Sequence, residues 1–74
     1  MDLNEFLELV KETLDAENDI SIDDMVEEID EWDSLGVLSL VSMLDDLGVA
    51  FEVDKFEDII TVEDFVKMTG IIND

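Results

Sequence analysis

The segment Ser34–Gly48, SLGVLSLVSMLDDLG, constrains the fold more than any other part of the chain. At about 100° per residue it forms a helix with one apolar face. That face consists of Val37, Leu40, Val41, Leu44 and Leu47, and the opposite face of Leu35, Ser39, Ser42 and Asp46. Ser34 suits the N-cap, and Gly48 suits the position that follows the helix. The segment therefore predicts a central core helix that leaves Leu35 facing outward.

A second amphipathic helix is predicted before this segment. Residues 3–16 carry apolar side chains at helical spacing, and Asp2 or Asn4 can cap the helix. Residues 17–33 have no clean period and contain nine acids. They predict a long loop pinned by scattered apolar side chains, with one helical turn near 24–28. A loop of this length in a compact domain is often functional.

The closing part of the chain predicts a short helix and a further main helix. The stretch VAFEV at 49–53 has no partner strand and predicts a loop that packs Val49 and Phe51 inward. Residues 54–60 suit one short helix, and residues 62–69 a longer one. Thr61 and Asp64 resemble a capping box at its start, and Gly70 ends it.

The fold class that follows is an all-α bundle of three main helices plus one short helix, with a long loop between the first two. At 74 residues the chain fits one domain, residues 1–74. A chain of this size buries a small core and favours function on its surface.

Acidic residues outnumber basic ones by 23 to 3, which gives a formal net charge of −20. This balance argues against nucleic acid and anionic membranes as partners, since both need basic patches, and it favours basic protein surfaces. Self-repulsion predicts a monomer whose stability rises with salt. The acidic N-terminal stretch has no separate apolar region and argues against a signal peptide. We therefore expect a soluble, cytoplasmic protein without membrane insertion.

Catalytic chemistry is restricted by the absence of Cys and His. Without them the chain has no thiol nucleophile, imidazole base, Cys/His zinc site or disulfide. A calcium loop starting at Asp15 also fails, because Ile20 and Val26 stand where an EF-hand needs glycine and glutamate. Adjacent acids such as Asp45 and Asp46 point apart on a helix, which favours a solvated face over acid–base catalysis. We expect a protein that is not an enzyme and has no dedicated metal site.

The candidate site is Asp33-Ser34-Leu35, where the acidic loop meets the central helix. A serine at a helix start has an exposed hydroxyl at the positive end of the dipole, where first-turn N–H groups stabilise a phosphate ester. Serine is also a preferred N-cap, so from its position alone a purely structural role is the stronger interpretation.

At this point the chain resembles the acyl carrier protein family over nearly its full length. The resemblance lies in the loop ending EWDSLG, the central helix ending in acids and glycine, and the closing DIITVEDFV; the words WDSL and TVEDF are its most specific parts. It implies that Ser34 receives 4'-phosphopantetheine from coenzyme A through a phosphopantetheinyl transferase that carries magnesium. Asp33 would help that transferase hold the serine and the metal. Acyl cargo would then ride as a thioester on the arm.

The resemblance also implies a partner surface. Leu35 and the acids around the central helix, here Asp45 and Asp46, would contact acyl-loading and acyl-transfer enzymes with basic docking surfaces. Many fatty-acid carriers have an acid at the positions of Gly36 and Ser39, and this chain has none there. This difference favours a specialised carrier, in a pathway such as polyketide or lipid biosynthesis, over the housekeeping carrier of fatty acid biosynthesis.

Two alternatives stay open from the sequence. One is a carrier of aminoacyl or peptidyl groups, for example D-alanyl groups. The other is an acidic interaction module that mimics nucleic acid and occupies a basic groove with its carboxylates. Phe65, Leu44 and Ile60 are candidates for lining an acyl pocket, and they also suit ordinary core positions. Trp32 is interpreted as a packing anchor for its loop rather than a ligand platform.

Overall fold

The computed structural model describes residues 1–72, so residues 73 and 74 of the predicted domain lie outside the described part. Three α-helices form the fold: α1 (Leu3–Leu14), α2 (Ser34–Asp46) and α3 (Val62–Thr69). The connections contain two 3-10 helices, Val26–Glu28 and Val53–Asp58. The predicted all-α bundle is confirmed. None of the helices in residues 1–72 is long and apolar enough to cross a membrane.

Helix α1 begins as predicted and ends two residues early. The Asp2 carboxylate caps it by accepting a backbone N–H at 2.8 Å. The prediction that the helix reaches residue 16 is wrong, because Asp15 adopts a left-handed conformation at φ 56°. The N–H of Ala16 then turns back to the Lys11 carbonyl at 3.0 Å. Asp tolerates this conformation better than most residues, and the pattern ends the helix.

Helix α2 ends with Gly48 in the predicted position. Gly48 has φ 85°, and the N–H of Val49 donates to the Leu44 carbonyl at 2.8 Å. These features make up a Schellman motif.

The buried face of α2 differs from the predicted one. Its buried residues are Gly36, Leu40, Met43 and Leu44. Leu47 was expected on this face but is 40% exposed, and Val37 and Val41 are only half-buried. Helix α1 packs against the side of α2 that carries Met43. The Met43 sulfur accepts a hydrogen bond from the Thr13 hydroxyl at 3.2 Å.

Helix α3 has the predicted capping box. The N–H of Asp64 donates to Thr61 Oγ1 at 3.2 Å, and the Thr61 N–H donates to Asp64 Oδ2 at 3.1 Å. The backbone N–H groups of Thr61 and Ile60 hold the pKa of the Asp64 carboxyl below its ordinary value. Gly70, at φ 69°, lies at the C-cap as expected.

The acidic loop is fastened to the start of α3 by main-chain hydrogen bonds. The Val26 N–H donates to the Ile60 carbonyl at 3.0 Å, and the Val62 N–H donates to the Asp24 carbonyl at 2.9 Å. Because these bonds fix the middle of the loop, its last residues approach α2 along a defined path. The predicted turn near 24–28 is present as the first 3-10 helix.

The core joins all three helices to the connections between them. Its aromatic centre is Phe65, which stacks on Phe6 with ring centroids 5.8 Å apart and contacts Phe51 and Phe56 at 5.7 and 5.6 Å. Phe51 is buried and Val49 half-buried, so both turn inward as predicted. The buried hydrophobic residues are Phe6, Val10, Leu14, Ile20, Leu40, Met43, Leu44, Phe51, Ile59, Val62, Phe65 and Val66.

Candidate functional site

The start of α2 is capped by Asp33 and not by Ser34. Asp33 has extended backbone angles, and its Oδ1 accepts the N–H of Gly36 at 2.9 Å. Ser34 is the first helical residue and is exposed. The prediction that Ser34 forms the N-cap is therefore wrong by one residue. The hydroxyl of Ser34 is not needed to cap α2, and the purely structural role considered for this serine loses its basis.

Electrostatics at this end of α2 favour a negative group. The N–H groups of a helix's first turn lack intrahelical acceptors, and the dipole places its positive end there. The Asp33 carboxylate satisfies one of these N–H groups. A phosphate ester on the exposed Ser34 hydroxyl would lie at the same positive end.

Gly36 fixes the position of the site against the rest of the fold. A Cβ at this position would overlap the backbone carbonyl of Glu31 and lie 2.8 Å from a methyl group of Leu14. Only a residue without a side chain allows this close approach. The end of the acidic loop consequently rests directly on the first turn of α2. The missing acid at position 36 therefore has a packing reason.

An open groove of about 670 Å³ runs beside Ser34, between α2 and the second 3-10 helix. Its apolar lining consists of Val26, Trp32, Val37, Leu38, Val53 and Phe56. Its polar lining consists of Ser34 and the acids Asp33, Asp54 and Glu57. An apolar floor with a few polar groups is the usual composition of a ligand site.

Trp32 anchors the loop, as the sequence interpretation has it. Its ring meets Phe65 edge-on at 5.2 Å and Phe56 at 6.1 Å between centroids. Edge-to-face contacts of this kind add to the stability gained by burial. Trp32 also lines the groove, so the residue that holds the loop forms part of the wall beside Ser34.

The structure brings together three of the five predicted site residues. Asp33, Ser34 and Leu35 lie at the start of α2, and Leu35 is 76% exposed. Asp45 and Asp46 are exposed in the last turn of the same helix. At 1.5 Å per residue they lie about 17 Å along the axis from Ser34. They can contact the same partner as the serine but cannot take part in chemistry at it.

The candidates for an acyl pocket do not line the groove. Phe65 and Leu44 are fully buried and form part of the core. Ile60 is 60% exposed, so the expectation that it lines an internal pocket is wrong. Its backbone is held outside the core by the Asp64 carboxylate, which accepts its N–H at 3.1 Å.

The sequence did not predict that Leu38, Val53 and Phe56 line the groove beside Ser34. A signal existed for Leu38, because it follows the outward-facing Leu35 by three residues and shares its side of the helix. Val53 and Phe56 come from a segment about fifteen or more residues away, and no local pattern places them beside α2.

A second cavity, of about 250 Å³, lies in the acidic loop. Its acidic lining residues are Glu17, Asp19, Asp24, Glu28, Asp30 and Glu31. Asp19 is paired with Lys11 at 2.8 Å. Within residues 1–72, no three or more acidic side chains are grouped so that they could hold a metal ion.

Comparisons of the chain with protein-family models, curated proteins and solved structures find no match. Function is therefore inferred from the residues and their geometry.

Proposed function

We propose that the protein is a non-catalytic carrier that holds acyl groups as thioesters on a 4'-phosphopantetheine arm attached to Ser34. The observation that carries this proposal is the capping of α2 by Asp33, which leaves the Ser34 hydroxyl exposed at the helix start and beside the groove. The sequence words WDSL and TVEDF, which resemble carrier proteins, support the same function.

The loading chemistry would be performed by a separate phosphopantetheinyl transferase. Ser34 Oγ would attack the pyrophosphate phosphorus of coenzyme A that bears the pantetheine. A new phosphorus–oxygen bond forms while the bond from that phosphorus to the adenosine bisphosphate leaving group breaks. The serine proton would pass to a base of the transferase. The phosphodiester formed would lie at the positive end of α2, a position that stabilises an anion by about 0.3–1 kcal/mol.

The groove beside Ser34 supports an arm with apolar cargo. Burial of an alkyl chain against the apolar lining gives about 0.8 kcal/mol per CH₂ group. The groove is open, so cargo can lie in it and leave again. The acids Asp33, Asp54 and Glu57 at the same groove favour the ammonium of an aminoacyl group, which keeps that carrier class as the second candidate.

Intact-protein mass spectrometry tests the proposal. The chain is incubated with coenzyme A, magnesium and a broad-specificity phosphopantetheinyl transferase, with Ser34→Ala in parallel. We expect one phosphopantetheine mass increment on the wild type and none on the variant. Ser39→Ala and Ser42→Ala, at exposed positions of the same helix, are matched controls and should load normally.

The acidic-mimic function predicts a different result. Its supporting observation is the net charge of −20, and it depends on many carboxylates rather than on one hydroxyl. If several transferases leave the wild type unmodified, the carrier function is wrong and the mimic becomes the leading proposal. A phosphopantetheine mass increment that persists in Ser34→Ala would show that the arm is attached to another residue.

A further inference from the structure

A separate groove of about 420 Å³, the α1/α2 groove, lies where α1 packs against α2. It shares no lining residue with the groove beside Ser34. At about 100° per residue, the α2 residues that line the two grooves are centred on roughly opposite sides of the helix. The α1/α2 groove is therefore a surface of its own, away from the serine.

Three apolar side chains line the α1/α2 groove. Leu9 belongs to α1, Met43 to the second half of α2, and Leu47 is the C-cap of α2. Met43 is buried, whereas Leu9 is half-buried and Leu47 is 40% exposed. Part of this apolar surface is therefore in contact with water, and covering it would be favourable by about 25 cal/mol per Å².

The polar side chains of the α1/α2 groove are short. Thr13, Ser39 and Ser42 carry hydroxyl groups. The Thr13 hydroxyl already donates to the Met43 sulfur at 3.2 Å. Because the distance between packed helices depends on the side chains at the contact, short residues at this position let a further helix approach α1 and α2 closely.

The charges at the α1/α2 groove are acidic. Among the described residues, Asp46 is the only charged one that lines it. The exposed Glu5 and Glu12 of α1 lie four residues before and three residues after Leu9, so they are its neighbours on the helix surface. None of the three lysines of the chain, all within residues 1–72, lines this groove. Its complement is an apolar stripe bordered by Lys or Arg.

We propose that the α1/α2 groove binds an amphipathic helix of a partner protein, with an apolar stripe against Leu9, Met43 and Leu47 and basic residues along its borders. Recognition of a helix in an apolar groove uses side chains spaced three and four residues apart on one face. The proposal goes beyond the carrier function and does not depend on it, because Ser34 takes no part in the contact. A second copy of this chain fits poorly, since two net charges of −20 repel each other.

Titration calorimetry with two synthetic peptides tests the α1/α2 groove. One peptide contains only leucine and lysine, with the leucines on one face of a helix; the other has the same composition in a scrambled order. At an ionic strength of about 0.15 M, which screens exposed charges, we expect the amphipathic peptide to bind about tenfold more tightly than the scrambled one. Equal affinities for the two peptides would show charge attraction alone and overturn the proposal.

A matched pair of variants locates the contact. Leu47→Ser and Met68→Ser each replace an apolar side chain that is 40% exposed, but only Leu47 lines the α1/α2 groove. We expect Leu47→Ser to weaken binding of the amphipathic peptide by about fivefold to tenfold, as loss of an interface anchor does, and Met68→Ser to leave it unchanged. Ser34→Ala should also bind as the wild type does. Equal weakening in Leu47→Ser and Met68→Ser would contradict the proposed site.

Amide chemical shifts of the wild type, recorded by NMR during the same titration, give a test that needs no substitution. We expect the shift changes to be concentrated in α1 and in the second half of α2. Changes centred on α3 or on the groove beside Ser34 would overturn the proposal. So would co-sedimentation with phosphatidylcholine vesicles, or a dimer in analytical ultracentrifugation, that is lost in Leu47→Ser, because a lipid surface or a second copy would then cover the groove.

Discussion

The two ends of α2 differ in how their charges relate to the helix dipole. At the start, the Asp33 carboxylate accepts a backbone N–H and lies at the positive end of the dipole. At the end, Asp45 and Asp46 lie at the negative end, and the last turn contains no basic residue. Helices α1 and α3 each have a lysine in the last turn, Lys11 and Lys67. The end of α2 is therefore the exception among the three helices.

At the start of α2 the acidic residue stabilises the helix, whereas at its end the acidic residues oppose the helix dipole. Asp33 caps the helix and so leaves the neighbouring serine exposed. Asp45 and Asp46 oppose the dipole, and helix stability gives no reason for them. If the proposed carrier function holds, we expect these two acids to attract a basic partner surface.

The largest effect is expected at the start of α2, from Gly36→Ala. The new methyl group would overlap the Glu31 carbonyl and crowd Leu14, so the loop must move away from the helix. Overpacking of this kind destabilises by about 2 kcal/mol, which lowers Tm by roughly 8–16 °C in a chain of this size. Thermal unfolding followed by circular dichroism measures the change.

Gly48→Ala is the matched control at the other end of α2. Nothing lies within 4 Å of its Cβ position, so the change adds strain only through the left-handed backbone at φ 85°. That strain amounts to about 1–2 kcal/mol. If Gly36→Ala loses no more stability than Gly48→Ala, the close packing at the start of α2 does not constrain the fold.

The next largest loss of stability is expected when the Asp33 cap of α2 is removed. Asp33→Ala removes the oxygen that accepts the Gly36 N–H and should lower the free energy of unfolding by about 1 kcal/mol, measured by urea denaturation. Asp33→Asn keeps an acceptor and should retain most of that stability. Equal losses in the two variants would show that the negative charge, rather than the hydrogen bond, stabilises this end.

The same pair of variants separates the cap from a role in loading. If the Asp33 carboxylate helps the transferase hold the serine and magnesium, Asp33→Asn folds normally but loads slowly. Loading at the wild-type rate in Asp33→Asn would restrict Asp33 to its structural role as the cap of α2.

A smaller effect of opposite sign is expected at the end of α2. Asp45→Asn and Asp46→Asn remove charges from the negative end of the dipole, and each should raise the free energy of unfolding by about 0.3–1 kcal/mol at low salt. Added salt should reduce the gain, because exposed charges are screened. Glu5→Gln, in the first turn of α1, is the control and should destabilise. A loss of stability in the α2 variants would contradict the contrast between its ends.

Local signals predicted most of the elements correctly. Helix ends were predicted from residues that are close together in the sequence. These are the capping box of Thr61 and Asp64 and the two glycines with positive φ, Gly48 and Gly70. The cap of α2 was misplaced because Asp33 and Ser34 are both good caps and stand side by side. The choice between them depends on how the first turn packs on the loop at Gly36, which is a tertiary contact.

The candidate site could be predicted only in its local part. Asp33, Ser34 and Leu35 are consecutive, so one motif identifies them. The groove needs Val53 and Phe56, which the chain brings to α2 only when Phe56 and Trp32 pack around Phe65. The distinction between an exposed Leu38 and a buried Met43 also depends on the angle at which α1 meets α2, and periodicity alone does not determine that angle.

The smallest effect is expected at the start of α3, where the Asp64 carboxylate stabilises the helix. This stabilisation should depend on pH. Hydrogen bonds from the N–H groups of Thr61 and Ile60 lower the pKa of Asp64 in the folded protein, so its ionised form contributes stability above its unfolded pKa. This contribution is lost as pH falls through the folded pKa. Asp64→Asn keeps an acceptor without the charge, so its Tm should lie below the wild type at neutral pH and converge with it in acid. A Tm difference that stays constant between neutral and acidic pH would show that the Asp64 charge does not stabilise the start of α3.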